Sequence, residues 1–289
     1  MDVVSDVPYT DNLDNPRLQF DLYVPRQPSS SSSSPSSAPR PLLCFVHGGA
    51  WRSEDKRDHA ALAAKLVSTT GLCVLVPNYR LTPQSPTPET AFQHPAHAQD
   101  ILRLLTFIPT WSGPDSSNGR PFDENRIFLI GHSCAAHMLA SIFLDSSAVT
   151  PELTPSPAML LAVRGLILAE GIYDIDALVD RFPNYRMWFI DGAFGERDSY
   201  ADVSVTSLPT RTTHIRWLIL HSTADELVNI EQSEAMHRHL CDLYAGVPQV
   251  DYHVGLSVND FGGHLETLSA DAFVEGVAAF VKDKRSSTL

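Results

Sequence analysis

One serine in this chain stands where a serine can be made reactive. Ser133 lies in Gly131-His132-Ser133-Cys134-Ala135. The run 127–130 before it is wholly apolar and partly β-branched, as in a strand buried on both faces. The stretch 136–144 after it reads as a helix. A strand, a sharp turn holding one serine and a helix are the setting a nucleophile elbow requires. The turn strains the serine backbone, and small residues two before and two after let strand and helix pass closely. The hydroxyl stands clear of the sheet end, and the helix N-terminus favours a developing anion. The fifth position is Ala135 where glycine is usual, so one extra methyl must fit. The competing reading of this stretch alone is a plain turn with an N-capping serine.

Acyl transfer by serine also needs a base, an acid to orient that base, and donors for an oxyanion. Gly48 and Gly49 follow an apolar run and let backbone approach a substrate closely. Their N–H groups, with that of Cys134, make the expected oxyanion hole. Asp225 follows another apolar run downstream, and His264 comes later, in Asp260-Phe261-Gly262-Gly263-His264. The chain order Ser133, Asp225, His264 suits a triad of nucleophile, acid and base. Among the other histidines, His132 is expected to point away from the hydroxyl, and His221 to be a core or supporting residue. His94, His97, His237 and His239 read as surface residues. Asp174 and Asp202 are the alternatives to Asp225. No histidine pair has zinc-protease spacing, so no metal and no cofactor are expected.

These residues need elements to hold them. Strands are expected at 18–24, 41–47, 72–77, 127–130, 163–169, 215–220 and 250–254. Helices are expected near 58–70, 96–107, 136–144, 230–244 and 265–282. Strand and helix alternate, which gives an α/β fold, a largely parallel sheet with helices on both faces. Such sheets bind ligands outside the carboxyl ends of their strands, so the marked residues converge. Residues 25–41 are rich in serine and proline and read as a surface loop. Residues 175–207 have many aromatic residues and no strand pattern, and read as a cap or lid. The whole of 1–289 is expected to form a single domain.

Composition bounds the partners. At 289 residues and 43% hydrophobic, the chain can bury an ample core. A net charge of −13 argues against nucleic acid and anionic membrane surfaces. The acidic opening MDVVSDVPYTDN shows no signal-peptide pattern, no apolar run is long enough to span a membrane, and the tail carries no address motif. Of the four cysteines, Cys44 and Cys73 sit in apolar runs, and no two have metal-ligand spacing. A reduced, cytoplasmic setting and a small-molecule substrate are expected, and a homodimer is left open.

The chain resembles the kynurenine formamidase (arylformamidase) branch of the α/β-hydrolases, near the hormone-sensitive-lipase-like esterases. The likeness runs through most of the chain. It rests on His47-Gly48-Gly49-Ala50-Trp51, which matches an H-G-G-x-W motif, and on Gly131-His132-Ser133. It rests also on Gly171-Ile172-Tyr173-Asp174, on His221-Ser222-Thr223-Ala224-Asp225-Glu226-Leu227, and on His264. The resemblance implies an α/β-hydrolase fold and cleavage of N-formyl-L-kynurenine to formate and kynurenine, in tryptophan breakdown toward NAD. For that substrate, Trp51, Tyr173 and Trp188 are the candidate ring contacts, and Arg52 or Arg186 the candidates for its carboxylate. Two other readings stand beside it. One is a carboxylesterase or secondary-metabolite hydrolase with the same triad. The other is a non-catalytic hydrolase-fold binding protein, hinted at by Ala135.

Overall fold

The computed structural model describes residues 1–26, 39–85, 87, 90–114, 119–248 and 253–283. Its sheet has eight strands: β1 (Asp2–Pro8), β2 (Gln19–Val24), β3 (Pro41–Val46), β4 (Cys73–Pro77), β5 (Asp123–His132), β6 (Val163–Ala169), β7 (Arg216–Ser222) and β8 (Val254–Asn259). The spatial order is β1-β2-β4-β3-β5-β6-β7-β8. Strands β3 to β8 run parallel, while β1 and β2 pair antiparallel at one edge. Among the described residues, the α-helices are α1 (Ala60–Thr70), α2 (Ala96–Phe107), α3 (Cys134–Phe143), α4 (Pro157–Ala162), α5 (Ile175–Arg181), α6 (Asp191–Phe194), α7 (Ile230–Leu243) and α8 (Asp271–Lys282).

The continuous apolar runs form strands because both faces of the sheet are covered. Successive strand side chains point to opposite faces. In β3, Leu42, Cys44 and Val46 enter one core while Leu43 and Phe45 enter the other. In β5, Ile127 and Leu129 part from Phe128 and Ile130 in the same way. The first core is closed by α2, α3 and α7, the second by α1 and α8. A run with both faces buried gains nothing from alternation, which is why these strands carry none.

Strand order reverses where β3 and β5 meet, since β4 lies on the far side of β3. The crevice at such a switch point is where ligands bind. The glycines after β3 and the serine after β5 therefore face each other across it.

The structure corrects several expectations. The last strand lies at Val254–Asn259 rather than 250–254, and residues 249–252 fall outside the described ones. Its sequence, VGLSVN, has too few large apolar groups to stand out. The helix expected at 58–70 begins as a 3-10 turn, Lys56–His59, capped by Asp55. The helix expected at 265–282 is a 3-10 turn, Glu266–Ser269, and then α8, with the extended Ala270 between them. The edge strand β1 was not anticipated. It alternates weakly and is mostly exposed. Of the serine-rich loop, 27–38 lie outside the described residues. No described helix is long and apolar enough to cross a membrane.

Candidate active site

β5 runs into Ser133, whose backbone takes φ 56° and ψ −123°. A non-glycine residue in that region costs about 1–3 kcal/mol and persists only where its surroundings hold it. Here the Ser133 N–H donates to the carbonyl of Ala169 at 2.8 Å, and α3 begins at the next residue. Gly131 is needed, because a Cβ there would meet the Ala135 carbonyl oxygen at 2.8 Å. Ala135 itself is fully buried, and its methyl is accommodated in the core.

The loop after β3 is held against this elbow. Gly49 has φ 86°, and a Cβ on it would lie 2.2 Å from the carbonyl oxygen of Ser53. That position admits only glycine. The Gly49 carbonyl accepts the N–H groups of Arg52 and Ser53, both at 2.9 Å. Tyr79 Oη donates to the Gly48 carbonyl at 2.6 Å, and the Trp51 N–H donates to Cys134 Sγ at 3.2 Å. Cys134 thus ties the glycine loop to the elbow through its side chain. Burial pushes its thiol up to about 12, against the pull of the Trp51 amide, so it stays protonated. Beyond the loop, the buried Lys56 ammonium bonds Asp6 at 2.7 Å and Asp21 at 2.6 Å, anchoring the 3-10 turn to the β1–β2 edge.

β7 and β8 deliver the remaining groups. His264 Nδ1–H donates to Asp225 Oδ2 at 2.8 Å, leaving Nε2 as the free basic nitrogen. Asp225 Oδ1 accepts the N–H groups of Leu227 and Val228, at 2.8 and 2.9 Å. Against burial, which raises it, the Asp225 carboxyl is held well below the usual carboxylate range by His264, then by the neighbouring Glu170 and the Val228 amide. His132 is fully buried. Its Nε2–H donates to the His264 carbonyl at 3.0 Å, so it ties down the backbone of His264. Burial, then the neighbouring His264, lowers His132 to about 3 and keeps it neutral.

Ser133 and His264 line one cavity of about 490 Å³, with Gly49, Arg52, Glu54 and Trp188 among its other walls. The remaining aromatic wall is Tyr185 and Phe189, at the π-helical turn Arg186–Ile190. Two expected substrate contacts are not there. Trp51 is fully buried and packs edge-on against His137 and Phe194, and Tyr173 is fully buried beside Gly171. Both rings fill the floor beneath the loops rather than the cavity. Arg186 is also elsewhere, stacked over Tyr200 and donating to the Arg197 carbonyl. Arg52 does line the cavity and donates to the Trp188 carbonyl.

His94 and His97 are not surface residues. His97 is fully buried with Nε2 2.9 Å from Thr82 Oγ1, and His94 packs on His137 and Phe194. The alternatives to Asp225 have other roles: Asp174 caps α5, and Asp202 pairs with Arg197. Sequence reasoning missed Glu170, fully buried behind Asp225 at the end of β6. Its signal was a lone acid closing the apolar run 163–169. Burial first, then Asp225, pushes the Glu170 carboxyl up to about 9.

Among the described residues, two groups bring three metal-type donors together: His47, Glu54 and His59, and Glu170, His221 and Asp225. Both are knit by protein hydrogen bonds, such as His59 to Glu54 at 2.9 Å and His221 to Ser233 at 2.8 Å. Neither is read as a metal site.

The parallel sheet, the elbow on a left-handed serine and the late histidine define an α/β-hydrolase fold. The chain belongs to the BD-FAE family, whose model matches residues 20–240. It is similar to the kynurenine formamidase of Eremothecium gossypii, 28% identical over 83% of this chain and 90% of that protein. The kynurenine formamidase of Meyerozyma guilliermondii is also 28% identical, over 67% of this chain and 69% of its own. Among solved structures, an inhibited form of esterase B from Lactobacillus rhamnosis superposes with a TM-score of 0.73. That match covers 99% of this chain and 89% of the esterase at 14% identity, and speaks to fold alone.

Proposed function

We propose that this chain is a serine hydrolase of small amides and esters, with N-formyl-L-kynurenine as its substrate. The observation that carries the reading is the convergence in one cavity of a strained, buried Ser133 and a His264 already bonded to Asp225. With Nδ1 committed to Asp225, His264 presents Nε2 to take the Ser133 proton as Oγ attacks the formamide carbon. The amides of Gly49 and Cys134 then receive the oxyanion. Gly48 belongs to the same loop, and its close fit against His132 and Ser133 sets the spacing of the two walls.

Collapse of the tetrahedral intermediate breaks the C–N bond. His264 returns the proton to the departing aniline nitrogen, leaving a formyl ester on Ser133. Water, deprotonated by His264, attacks that ester, and Ser133 departs with the proton as formate is released. An arylamine leaves more readily than an alkylamine, so an esterase-like site suffices for this amide. The identity with two kynurenine formamidases supports the substrate choice. So does the aromatic wall of Tyr185, Trp188 and Phe189, with Arg52 beside it for a carboxylate. In this reading 175–207 is the cap that shapes the leaving-group side. The alternative reading is a carboxylesterase, because the same apolar wall suits an ester's hydrocarbon. The binding-protein reading rests on Ala135 alone, whose methyl is fully buried in the core.

The test is steady-state hydrolysis of N-formyl-L-kynurenine beside p-nitrophenyl acetate. A kcat/KM for formylkynurenine of about 10⁴ M⁻¹s⁻¹ or more, well above that for the ester, is expected. Ester turnover without formylkynurenine turnover would leave the serine reading standing and refute the substrate.

A further inference from the structure

Glu170 is a buried acid that the mechanism above leaves without a role. It ends β6 with φ 51°, its N–H bonded to the Leu220 carbonyl at 3.0 Å. Oε1 is satisfied twice, by the Ser222 N–H at 2.9 Å and by Thr267 Oγ1–H at 2.8 Å. Oε2 is buried and receives no donor. It lies 3.5 Å from His221 Nδ1, which bonds Ser233 Oγ at 2.8 Å, and the Glu170 carboxyl has an Asp225 carboxylate oxygen within 4.8 Å. Two ionised carboxylates this close repel, and neither can donate. If one proton lies between them, the orphaned oxygen becomes a donor and Asp225 its acceptor. Asp225 is the member that stays ionised, because His264 and two backbone amides already stabilise its charge.

We propose that Glu170 is a positioning residue for the triad, a neutral carboxylic acid that donates a hydrogen bond to Asp225 and fixes it against His264. The inference rests on the serine-hydrolase reading and extends its relay one group deeper: Glu170 to Asp225, His264 and Ser133. The groups facing Glu170 agree with a neutral acid. His221, on β7, is held below its ordinary value mainly by burial, so it offers no cation to pair with an ionised Glu170. Tyr173, after β6, is raised by burial and stays a phenol. Thr267 and Ser222 supply donors to Oε1 that an acid and a carboxylate accept equally well. When Glu170 loses its proton in alkaline solution, the bond is lost and two anions press on one another, so the orientation of Asp225 fails.

Glutamine separates the two forms of Glu170. Its amide oxygen can accept from Ser222 and Thr267, and its NH₂ can donate to Asp225, as a neutral acid does but without titrating. The experiment is the pH profile, from 6 to 10.5, of kcat and KM for p-nitrophenyl acetate with the parent chain, Glu170→Gln and Glu170→Ala. Glu170→Ala is expected to lose about 10- to 100-fold in kcat with KM within about 2-fold. Glu170→Gln is expected to restore kcat to within about 3-fold of the parent at pH 7 and to lack the parent's alkaline decline. If Glu170→Ala fails to fold, Glu170→Gln alone still decides. A glutamine variant as impaired as the alanine one, or one that keeps the alkaline decline, would overturn the inference. A parent without ester turnover would overturn the serine reading and this inference with it. An active parent matched by Glu170→Ala would overturn the role of Glu170 alone.

Discussion

The two sides of the cavity are built on different principles. The β-strand side is buried and over-determined: Ser133 is 6% exposed and His264 4%, the first held by a backbone bond to β6 and the second by bonds from its main chain to the His132 and Glu226 side chains. The side formed by 175–207 is short helical turns carrying exposed apolar groups, with Met187 89% and Trp188 52% exposed. Strain at Ser133 and Gly49 is sustained by the bonds that Cys134, Tyr79 and Ala169 make to the elbow and the glycine loop. No comparable cage surrounds Trp188. The difference separates a closely held strand side, where the proposed chemistry lies, from a more exposed wall proposed to meet the substrate.

The comparison predicts unequal costs. Ser133→Ala should lower kcat for p-nitrophenyl acetate by about 10⁴-fold or more, His264→Ala nearly as much, and the double variant hardly further, since the two act as a unit. Additive losses, measured in the same assay, would break the account of a closely held site. Gly49→Ala should cost about 10²–10³ in kcat, because its Cβ collides with the Ser53 carbonyl and shifts the donors. A near-normal kcat there would show that the loop yields.

The strand side should also leave a pH signature in stability. Glu170 holds its proton in the folded chain to about 9 but releases it near 4.5 when unfolded. Its contribution is therefore fully present below about pH 4.5 and is lost progressively as pH rises toward 9, where the native state binds more protons. Asp225 acts in the opposite sense, losing its contribution as pH falls below the ordinary carboxylate range. Glu170→Gln should melt at least about 3 °C above the parent at pH 8.5 and converge with it near pH 4 by calorimetry. The smallest effect belongs to the more exposed wall. Trp188→Ala should raise KM for formylkynurenine about 5- to 10-fold, leave kcat within about 2-fold, and leave the small ester almost unchanged. An equal loss on both substrates would mean that Trp188 supports the chemistry itself.

Much of this architecture was readable in the chain because buried strands announce themselves. The runs 41–46, 73–77 and 127–130 are apolar without interruption, 163–169 is apolar but for Arg164, and each is followed by residues that could do chemistry. Ser133, Asp225 and His264 were legible because each follows such a run or its loop. β8 was displaced and β1 missed because edge strands need less apolar content. Trp51 and Tyr173 were misplaced because an aromatic next to a motif can point to core or cavity, and sequence carries no direction. The surroundings of His94 and His97 were hidden similarly, by neighbours that arrive from 137 and 194 for the first and from 79, 82 and 92 for the second. Glu170 was invisible as a functional group because its meaning depends on Asp225, fifty-five positions away in sequence and adjacent only in the fold.

The central claim is that Ser133 is the nucleophile of a preformed triad. Treatment with a fluorophosphonate, followed by intact-mass and peptide mass spectrometry, tests it directly. The account predicts one stoichiometric adduct, mapped to Ser133, that is absent from Ser133→Ala and forms at least about 100-fold more slowly in His264→Ala. An unlabelled parent, or an adduct on any other residue, would contradict it.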